Sequence, residues 1–297
     1  MTNESVQAIR REIAKFGARF DESLNKATRS LYEPHLDRAN ARTETLDLAY
    51  GPHERNRLDL FSDGGVDLPI VLFVHGGGFI AGDKRSTDHF YANVGRYLAA
   101  KGFLCATMNY RLASTDGWPA GSEDVAAAVK WLSGNAGSHG GDSSRIGLLG
   151  QSAGCCHVAG YLFDPQSSSI ASTHVSASAL LSGYYVVKPP LSPGQQAYFG
   201  TDASRFVERS PATHVASNAV PVLLSLAEFD PPQIAQQTLE FAAALTASRG
   251  ACPAMHWLAG HNHVSSALSL GTVDREVGNL LTGFFSEHLS KVAATRL

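Results

Sequence analysis

The chain has 297 residues, of which 44% are hydrophobic and 17% are charged, so it is long enough to bury one large core or two modest ones. Its formal net charge of -3 provides no polybasic surface, which argues against nucleic acid or an anionic membrane as a partner. A small molecule is the expected partner, and a homo-oligomer remains open.

The first twenty residues mix charges throughout and lack the apolar core of a signal peptide. No apolar run approaches the roughly 20 residues that a membrane-spanning helix needs. The spacing of the four cysteines does not resemble a disulfide framework. These features together predict a cytoplasmic protein.

Residues 1–42 are predicted to form a helical segment, and residues 43–297 the main domain. Apolar residues recur at intervals of three and four on one helical stripe, namely Val6, Ile9, Ile13, Phe16, Phe20 and Leu24. Two alternating segments follow, with Leu46, Leu48 and Tyr50 in the first and Leu58 and Leu60 in the second. They predict an antiparallel hairpin at a sheet edge.

Six short apolar runs then alternate with stretches of helical length. The runs occupy residues 69–74, 103–110, 146–150, 176–182, 220–227 and 254–259, and the helices about 87–100, 122–134, 153–163 and 232–248. A last helical stripe contains Val277, Leu280, Leu281, Phe284, Phe285 and Leu289. Runs that are apolar on both faces predict an α/β fold with a mainly parallel sheet covered by helices on both sides.

One connection is much longer than the others. Residues 183–218 are rich in proline, serine and aromatics, and they exceed an ordinary αβ connection of roughly 2–6 residues. We expect this insertion to form a small cap over a site.

The sequence "GQSAG" at 150–154 links a predicted strand to a predicted helix. In a G-x-S-x-G turn the serine is held in a strained conformation above the sheet, and a larger residue at either glycine would clash. Ser152 is therefore a candidate nucleophile. A chance match of so short a pattern is the structural alternative.

A glycine loop, "HGGGFIAGDK", follows the strand at 69–74. Its backbone can approach a bound group closely and point N–H donors at it, as an oxyanion hole requires. Gly77 and Gly78, with Ala153 after the serine, are the candidate donors. A phosphate loop is the rival interpretation, but the G-x-G-x-x-G and Walker spacings are missing.

Five motifs occur in the order "HGGGF", "NYRL", "GQSAG", "EFDPP" and "GHNHVS". Together they resemble α/β-hydrolases of the hormone-sensitive-lipase-like esterases and the neighbouring arylformamidases, over residues from about 45 to 290. The stretches "YGPHERNRLDLF" and "ERSP" are more similar to the arylformamidases. The resemblance implies an α/β-hydrolase fold and a serine hydrolase that needs no cofactor.

A serine nucleophile needs an imidazole base and a carboxylate that orients the base, and in this fold they follow in the order Ser, Asp or Glu, His. Glu228 and Asp230 both follow the strand at 220–227. The resemblance favours Asp230, which precedes a proline, and leaves Glu228 in reserve. The alternative for Asp230 is a helix N-cap.

Two histidines, His261 and His263, follow the last predicted strand. The family pattern of Gly, two residues and His matches Gly260 and His263, which implies that His263 is the base. His261 is expected to shape the loop or to contact the substrate. A metal site is disfavoured because no third and fourth ligands are evident nearby in the sequence.

Aromatic and aliphatic residues near the two motifs are candidates for lining a substrate pocket. They are Phe79, Ile80, Tyr184, Tyr185 and Phe199, although ordinary packing explains them equally well. His75 is expected to support the glycine loop by hydrogen bonds. Cys155 and Cys156 are expected to be buried and structural.

The sequence thus predicts a carboxylesterase acting on small esters through an acyl-enzyme. Hydrolysis of N-formylkynurenine or a related formamide is the alternative. A non-catalytic receptor on a hydrolase scaffold is a third possibility, but such a protein is expected to lack a triad residue. The N-terminal helix is expected to contribute to the cap.

Overall fold

A single eight-stranded sheet organises the computed structural model, which describes residues 2–39, 41–165, 175–217 and 219–291. The strands run in the spatial order β1-β2-β4-β3-β5-β6-β7-β8. They are β1 (Thr43–Ala49), β2 (Arg57–Ser62), β3 (Leu68–Val74), β4 (Leu104–Met108), β5 (Gly141–Gln151), β6 (Val175–Leu181), β7 (Val222–Phe229) and β8 (Ala254–Asn262).

Of the described strands, only β2 runs opposite to the others, so both of its pairs are antiparallel and all other pairs are parallel. β1 pairs with β2, and β2 with β4, in antiparallel register, so the predicted edge hairpin is confirmed. From β4 to β8 each neighbouring pair is parallel. The carboxyl ends of β3, β5, β7 and β8 therefore open at the same edge of the sheet, where α/β folds place their sites.

Nine α-helices lie within the described ranges. They are α1 (Thr2–Phe16), α2 (Glu22–Tyr32), α3 (Ala92–Ala99), α4 (Ala120–Asn135), α5 (Ala153–Phe163), α6 (Pro193–Phe199), α7 (Pro232–Arg249), α8 (Ser265–Leu268) and α9 (Glu276–His288). The helix predicted over 87–100 is shorter at its start, since α3 begins at Ala92. The strand predicted at 254–259 continues to Asn262.

The sheet has an apolar core on each face, as its continuous apolar strands predict. In β3, Ile70, Leu72 and Val74 pack into the core shared with α4, α5 and α7. The alternate residues Val71 and Phe73 pack into the core shared with α3 and α9. Successive side chains of a strand point to opposite faces, so one apolar run supplies both cores. The predicted α/β architecture is confirmed.

The N-terminal segment differs from its prediction, because it forms two helices instead of one. Gly17 has a φ of +69°, a conformation that suits glycine and ends α1. Asp21 then caps α2, its side chain accepting a hydrogen bond from the amide of Leu24 at 2.9 Å. Phe20 therefore lies in the turn between α1 and α2, outside the apolar stripe to which its spacing assigned it.

The insertion after β6 is described over residues 183–217, and residue 218 of the predicted span lies outside the described residues. It contains α6 and two 3₁₀ turns, at Ala203–Arg205 and Pro211–Ser217. A capping box fixes the start of α6, in which Ser192 and Gln195 each bond to the other's backbone amide. The helix ends at Phe199, whose ring packs beside the glycine loop.

Candidate active site

Ser152 stands in a strained turn between β5 and α5. Its φ of 55° and ψ of -121° are unfavourable for any residue except glycine, and its amide donates to the Leu181 carbonyl at 3.0 Å. A Cβ on Gly154 would overlap the carbonyl oxygen of Val74, and one on Gly150 would lie 2.8 Å from the Cα of Cys155. Both positions thus require glycine, because neighbouring backbone atoms lie too close to leave room for a Cβ, as the motif predicts.

The serine hydroxyl begins a chain of hydrogen bonds between three buried side chains. Ser152 Oγ lies 2.8 Å from Nε2 of His263, and Nδ1 of His263 lies 2.9 Å from Oδ1 of Asp230. An ionised carboxylate only accepts, so Nδ1 carries the hydrogen toward Asp230 and leaves Nε2 free to accept from the serine. The structure therefore brings together the three residues that the sequence predicts as a triad.

The second carboxylate oxygen of Asp230 has two donors of its own. Oδ2 accepts from the Ala227 amide and from Ser182 Oγ, both at 2.7 Å. The N-cap position of α7 is Pro231, without a side-chain cap, so Asp230 does not act as the cap of that helix. Glu228 is exposed and accepts instead from the Gly260 amide at 2.7 Å. Only Asp230 of the two candidate carboxylates reaches His263.

Gln151, the residue before the serine, positions the loop that bears the imidazole. Its side-chain Nε2 donates to the backbone carbonyl of His263 at 3.0 Å, and its Oε1 lies 3.5 Å from the hydroxyl of Tyr91. Gln151 and Ser182 were both missed by sequence analysis. Gln151 occupies a free position of its motif, and Ser182 only follows a strand, so neither carried a signal.

The glycine loop lies directly against the serine. A Cβ on Gly76 would be 2.8 Å from the Cβ of Ser152, and one on Gly77 would overlap the Ala81 carbonyl oxygen. Gly77 and Gly78 have φ values of +138° and +60°. Within the described ranges, the backbone amides of Gly77, Gly78 and Ala153 donate to no carbonyl or side-chain acceptor. These amides are thus available to a bound group.

His75 supports the glycine loop by a hydrogen bond, as expected. Its Nδ1 lies 2.6 Å from the Gly76 carbonyl oxygen and donates to it, and its ring stacks on Tyr110 at a centroid distance of 4.5 Å. Burial lowers the pKa of His75 from 6.5 to about 4. The imidazole is consequently neutral at neutral pH.

Three of the predicted lining residues lie together beside the glycine loop. Phe79 is buried, and its ring centroid lies 5.8 Å from that of Tyr184 and 5.3 Å from that of Phe199. Ile80 is 44% exposed at the surface. Phe79 also has a positive φ of 72°, which turns its ring into this cluster.

Tyr185 does not join this group. It is fully buried in the core and stacks on Phe241 with ring centroids 4.2 Å apart. Tyr184 and Tyr185 are consecutive, yet the ring of the first lies near Phe79 and the ring of the second against Phe241. Only Tyr184 faces the glycine loop, so the prediction for Tyr185 is corrected.

His261 is also separate from the serine site. Its side chain is fully buried, with Nδ1 3.0 Å from Ser265 Oγ and Nε2 3.4 Å from Asp274 Oδ2. Its two ring nitrogens thus face Ser265 and Asp274 and not Ser152, so it shapes the loop, the first of the two roles expected of it.

Two carboxylates, Asp274 and Glu276, do lie close to His261, contrary to the expectation that no further ligands are near. The three groups offer ligand atoms within 4.8 Å of one another. Arg10 of α1 already supplies the positive charge, because its Nη2 lies 2.9 Å from Asp274 and 2.6 Å from Glu276. The cluster is thus an ion pair network that ties α1 to the loop after β8.

Phe20 is a site residue that sequence analysis missed. Its ring meets that of His263 edge to face, with centroids 4.7 Å apart and an interplanar angle of 68°. The spacing of Phe20 assigned it to the apolar stripe of a helix that packs on the core. No sequence signal therefore pointed to its contact with His263.

The side chains behind Ser152 are buried, as expected of Cys155 and Cys156. Burial raises the pKa of both thiols above the ordinary value. His157 is enclosed by Phe79, Tyr110 and Tyr198, and burial lowers its pKa to about 3. None of the three supplies a reactive group near Ser152 at neutral pH.

No helix in the described part of the chain combines the length and apolar content needed to cross a bilayer.

Comparison with known proteins finds similarity to esterases. The family model described as BD-FAE matches residues 58–166. The chain is 28% identical over 208 residues to the probable carboxylic ester hydrolase LipM of Mycobacterium tuberculosis, covering 59% of this chain and 45% of LipM. It is 29% identical over 237 residues to esterase LipQ of the same organism, covering 71% of this chain and 55% of LipQ. The chain thus spans about half the length of these relatives.

Solved esterase structures superpose on nearly the whole chain. An arylesterase structure superposes with a TM-score of 0.72 at 19% identity, covering 96% of this chain and 98% of that one. An esterase from Pyrobaculum calidifontis gives 0.71 at 20% identity, covering 95% and 96%. The chain therefore has the α/β-hydrolase fold that the sequence motifs predict.

Proposed function

We propose that the chain is a carboxylesterase that cleaves small carboxylic esters through an acyl-enzyme on Ser152. The observation that carries the proposal is the unbroken line of hydrogen bonds from Ser152 Oγ through His263 to Asp230, at 2.8 and 2.9 Å. The backbone amides of Gly77, Gly78 and Ala153, unpaired among the described residues and placed in the glycine loop and directly after Ser152, support the proposal. The names of the sequence relatives LipM and LipQ support an ester as the substrate.

In the proposed reaction, Ser152 attacks the ester carbonyl while Nε2 of His263 accepts the hydroxyl proton. Asp230 holds the imidazole in the required tautomer and stabilises the imidazolium that forms. The amides of Gly77, Gly78 and Ala153 bind the negative oxygen of the tetrahedral intermediate.

The proton that His263 took from Ser152 is then used to complete acylation, the first half of the reaction. The imidazolium of His263 passes it to the oxygen of the alcohol, which leaves, and the acyl group stays on Ser152. A water molecule that gives its proton to His263 attacks the acyl-enzyme. The carboxylic acid is released, and the serine recovers its hydrogen.

The surroundings of the serine favour a small substrate. Ser152 is 3% exposed, and the space beside the oxyanion loop is filled by the buried rings of Phe79, Tyr198 and Phe199. A long acyl chain has little room on that side. We therefore propose short acyl groups, such as acetyl, as the preferred acids.

Substitution of Ser152 by alanine tests the proposal. Without the nucleophile, hydrolysis of an acetate ester should fall by at least about 10⁴-fold. Ser178→Ala is the matched control, because Ser178 is also buried in the sheet and its hydroxyl has no partner among the described residues. That control should keep its activity within about twofold. Ester hydrolysis that survives in Ser152→Ala, with contaminants excluded, would contradict the proposal.

The formamide alternative is decided by a direct comparison of substrates. Purified protein is given short-chain aryl esters and N-formylkynurenine side by side, and kcat/KM is measured for each. We expect the ester to have the higher value. A strong preference for the formamide would replace the ester proposal with an arylformamidase that uses the same three side chains.

A further inference from the structure

The turn between α1 and α2 places an aromatic ring against the proposed base. Phe20 is 44% exposed, whereas the side chain of His263 is 1% exposed. The ring centroids are 4.7 Å apart. Phe20 therefore covers one side of the imidazole and still presents much of its own apolar surface to the outside.

Contacts within the turn fix its shape. Arg19 Nη1 lies 2.7 Å from a carboxylate oxygen of Asp21, and its Nε donates to the Phe16 carbonyl at 3.2 Å. Asp21 also caps α2 through the amide of Leu24. Phe20 is thus held between two helix ends.

Both helices are tied to the loop that carries the base. The side chain of Asn262, one residue before His263, donates to Thr28 of α2 at 2.8 Å. In α1, Arg10 binds Asp274 at 2.9 Å. These two contacts hold α1 and α2 against the segment that carries His263. The fold therefore fixes the position of Phe20 relative to His263.

The proposed chemistry identifies which half of a substrate passes this ring. Nε2 of His263 must come within hydrogen-bond reach of the leaving oxygen in order to protonate it. In the proposed reaction the carbonyl oxygen is bound instead by the amides of Gly77 and Gly78. In this mechanism the alcohol half of an ester is the part on the His263 side, where Phe20 lies, and the acyl half is the part toward the glycine loop and Phe79.

We infer that Phe20 determines specificity for the alcohol half of the substrate and favours esters of planar, apolar alcohols such as phenols and benzyl alcohol. A flat apolar group covers exposed ring surface and gains aromatic contact, whereas methanol reaches too little of the ring to gain either. The inference rests on the proposed esterase function.

The test uses two matched ester series and the full chain. The first series varies the alcohol of an acetate, from methanol through cyclohexanol to benzyl alcohol. The second varies the acid of a methyl ester, from acetate to butanoate and benzoate. The value of kcat/KM is measured because it covers the steps through acylation, in which the alcohol leaves.

Phe20→Ala should lower the benzyl to methyl acetate ratio of kcat/KM by about tenfold relative to wild type. The acyl series should change by less than about twofold, because Phe20 lies away from that half. Phe20→Trp should retain the benzyl preference, and Phe20→Leu should keep only part of it. Lys26→Ala, on the exposed face of the adjoining helix α2, is the control and should leave both series unchanged.

Each result separates the two proposals. Active Phe20→Ala with an unchanged benzyl to methyl ratio, or with the change in the acyl series instead, would overturn this inference and leave the esterase proposal intact. A uniform loss on all esters would assign Phe20 a structural role and overturn the inference as well. If Phe20→Ala does not fold, the Leu and Trp variants decide by the same ratio. Absence of ester hydrolysis in the wild type would overturn both.

Discussion

Substitution of Asp230 by asparagine gives a sharp test of the hydrogen-bonded triad. The carboxylate presents two acceptors, whereas an amide presents one acceptor and one donor. The Ala227 amide, 2.7 Å from Oδ2, can only donate, so the asparagine oxygen must take that position. The asparagine NH₂ group then faces Nδ1 of His263 across the present 2.9 Å.

This exchange reverses the tautomer of the imidazole. Two donors cannot face each other, so Nδ1 of His263 must accept, and its hydrogen must move to Nε2. That hydrogen then points at Ser152 Oγ, 2.8 Å away, and Nε2 can no longer accept the serine proton. The backbone geometry of the site needs no change for this to happen.

We expect kcat of Asp230→Asn to fall by about 10⁴-fold, the size known for the wrong tautomer in a triad, which is about 5.5 kcal/mol of lost transition-state stabilisation. KM should change little, because Asp230 lies behind the imidazole and does not contact the substrate. Steady-state kinetics on an acetate ester measures both, with circular dichroism as the check on folding.

Glu228→Gln is the matched control, since Glu228 is the neighbouring carboxylate and only accepts from the Gly260 amide. A glutamine oxygen can still accept, so activity should stay within about twofold of wild type. The reasoning is refuted if Asp230→Asn keeps more than a tenth of wild-type kcat, or if Glu228→Gln loses as much activity as Asp230→Asn.

Three further predictions concern stability. Gly154→Ala should lower the free energy of unfolding by at least about 3 kcal/mol in urea titrations, because its Cβ overlaps the backbone at the end of β3, whereas Gly134→Ala, with open space, should raise it by about 0.5–1 kcal/mol. An equal effect of the two would contradict this. Arg10→Met should cost about 2 kcal/mol in thermal unfolding, since buried Asp274 loses its cation; no change in Tm would show that the ion pair is neutral for stability. The lowered pKa of His75 means that the folded state binds fewer protons than the unfolded state between pH 6.5 and about 4. Stability should therefore fall as the pH drops through that window, by about 3 kcal/mol from this residue, and a flat profile in urea titrations would refute it.

The sheet and its active-site turns were predictable because local sequence determines them. A strand that is apolar on both faces, such as β3, must be covered on both sides, and that requirement fixes its place inside the sheet. The turn at Ser152 likewise needs glycine on both sides, for contacts only a few residues from the serine or on the adjacent strand. Local sequence patterns of this kind are therefore sufficient to predict the strand and the turn.

Residues whose roles depend on distant partners were not predictable in the same way. Phe20 fits the spacing of Phe16 and Leu24, so periodicity assigns it to a helical stripe. Its actual partner, His263, lies 243 positions later in the chain, and no local pattern reports such a contact. The glycine at 17 and the capping aspartate at 21 were the available signals for a break between two helices.

Pairs of neighbouring residues of the same type show a second limit. Tyr184 and Tyr185 are one residue apart and point to the glycine loop and to the core, respectively. His261 and His263 are two residues apart, yet the first meets Asp274 and the second meets Ser152. Composition near a motif identifies a neighbourhood, and the backbone conformation decides which member of a pair enters the site.

The N-terminal helices belong to the physical unit that holds the proposed base. Ile9, Ile13 and Leu24 pack in one cluster with Val264 and Leu268, on the chain just after the imidazole. The ion pair of α1 and the side-chain hydrogen bond of α2 reach the same loop from either end. Burial of these apolar groups lowers the free energy only when both helices and the loop are in place. The orientation of a side chain near the end of the chain is therefore coupled to the folding of its first thirty residues.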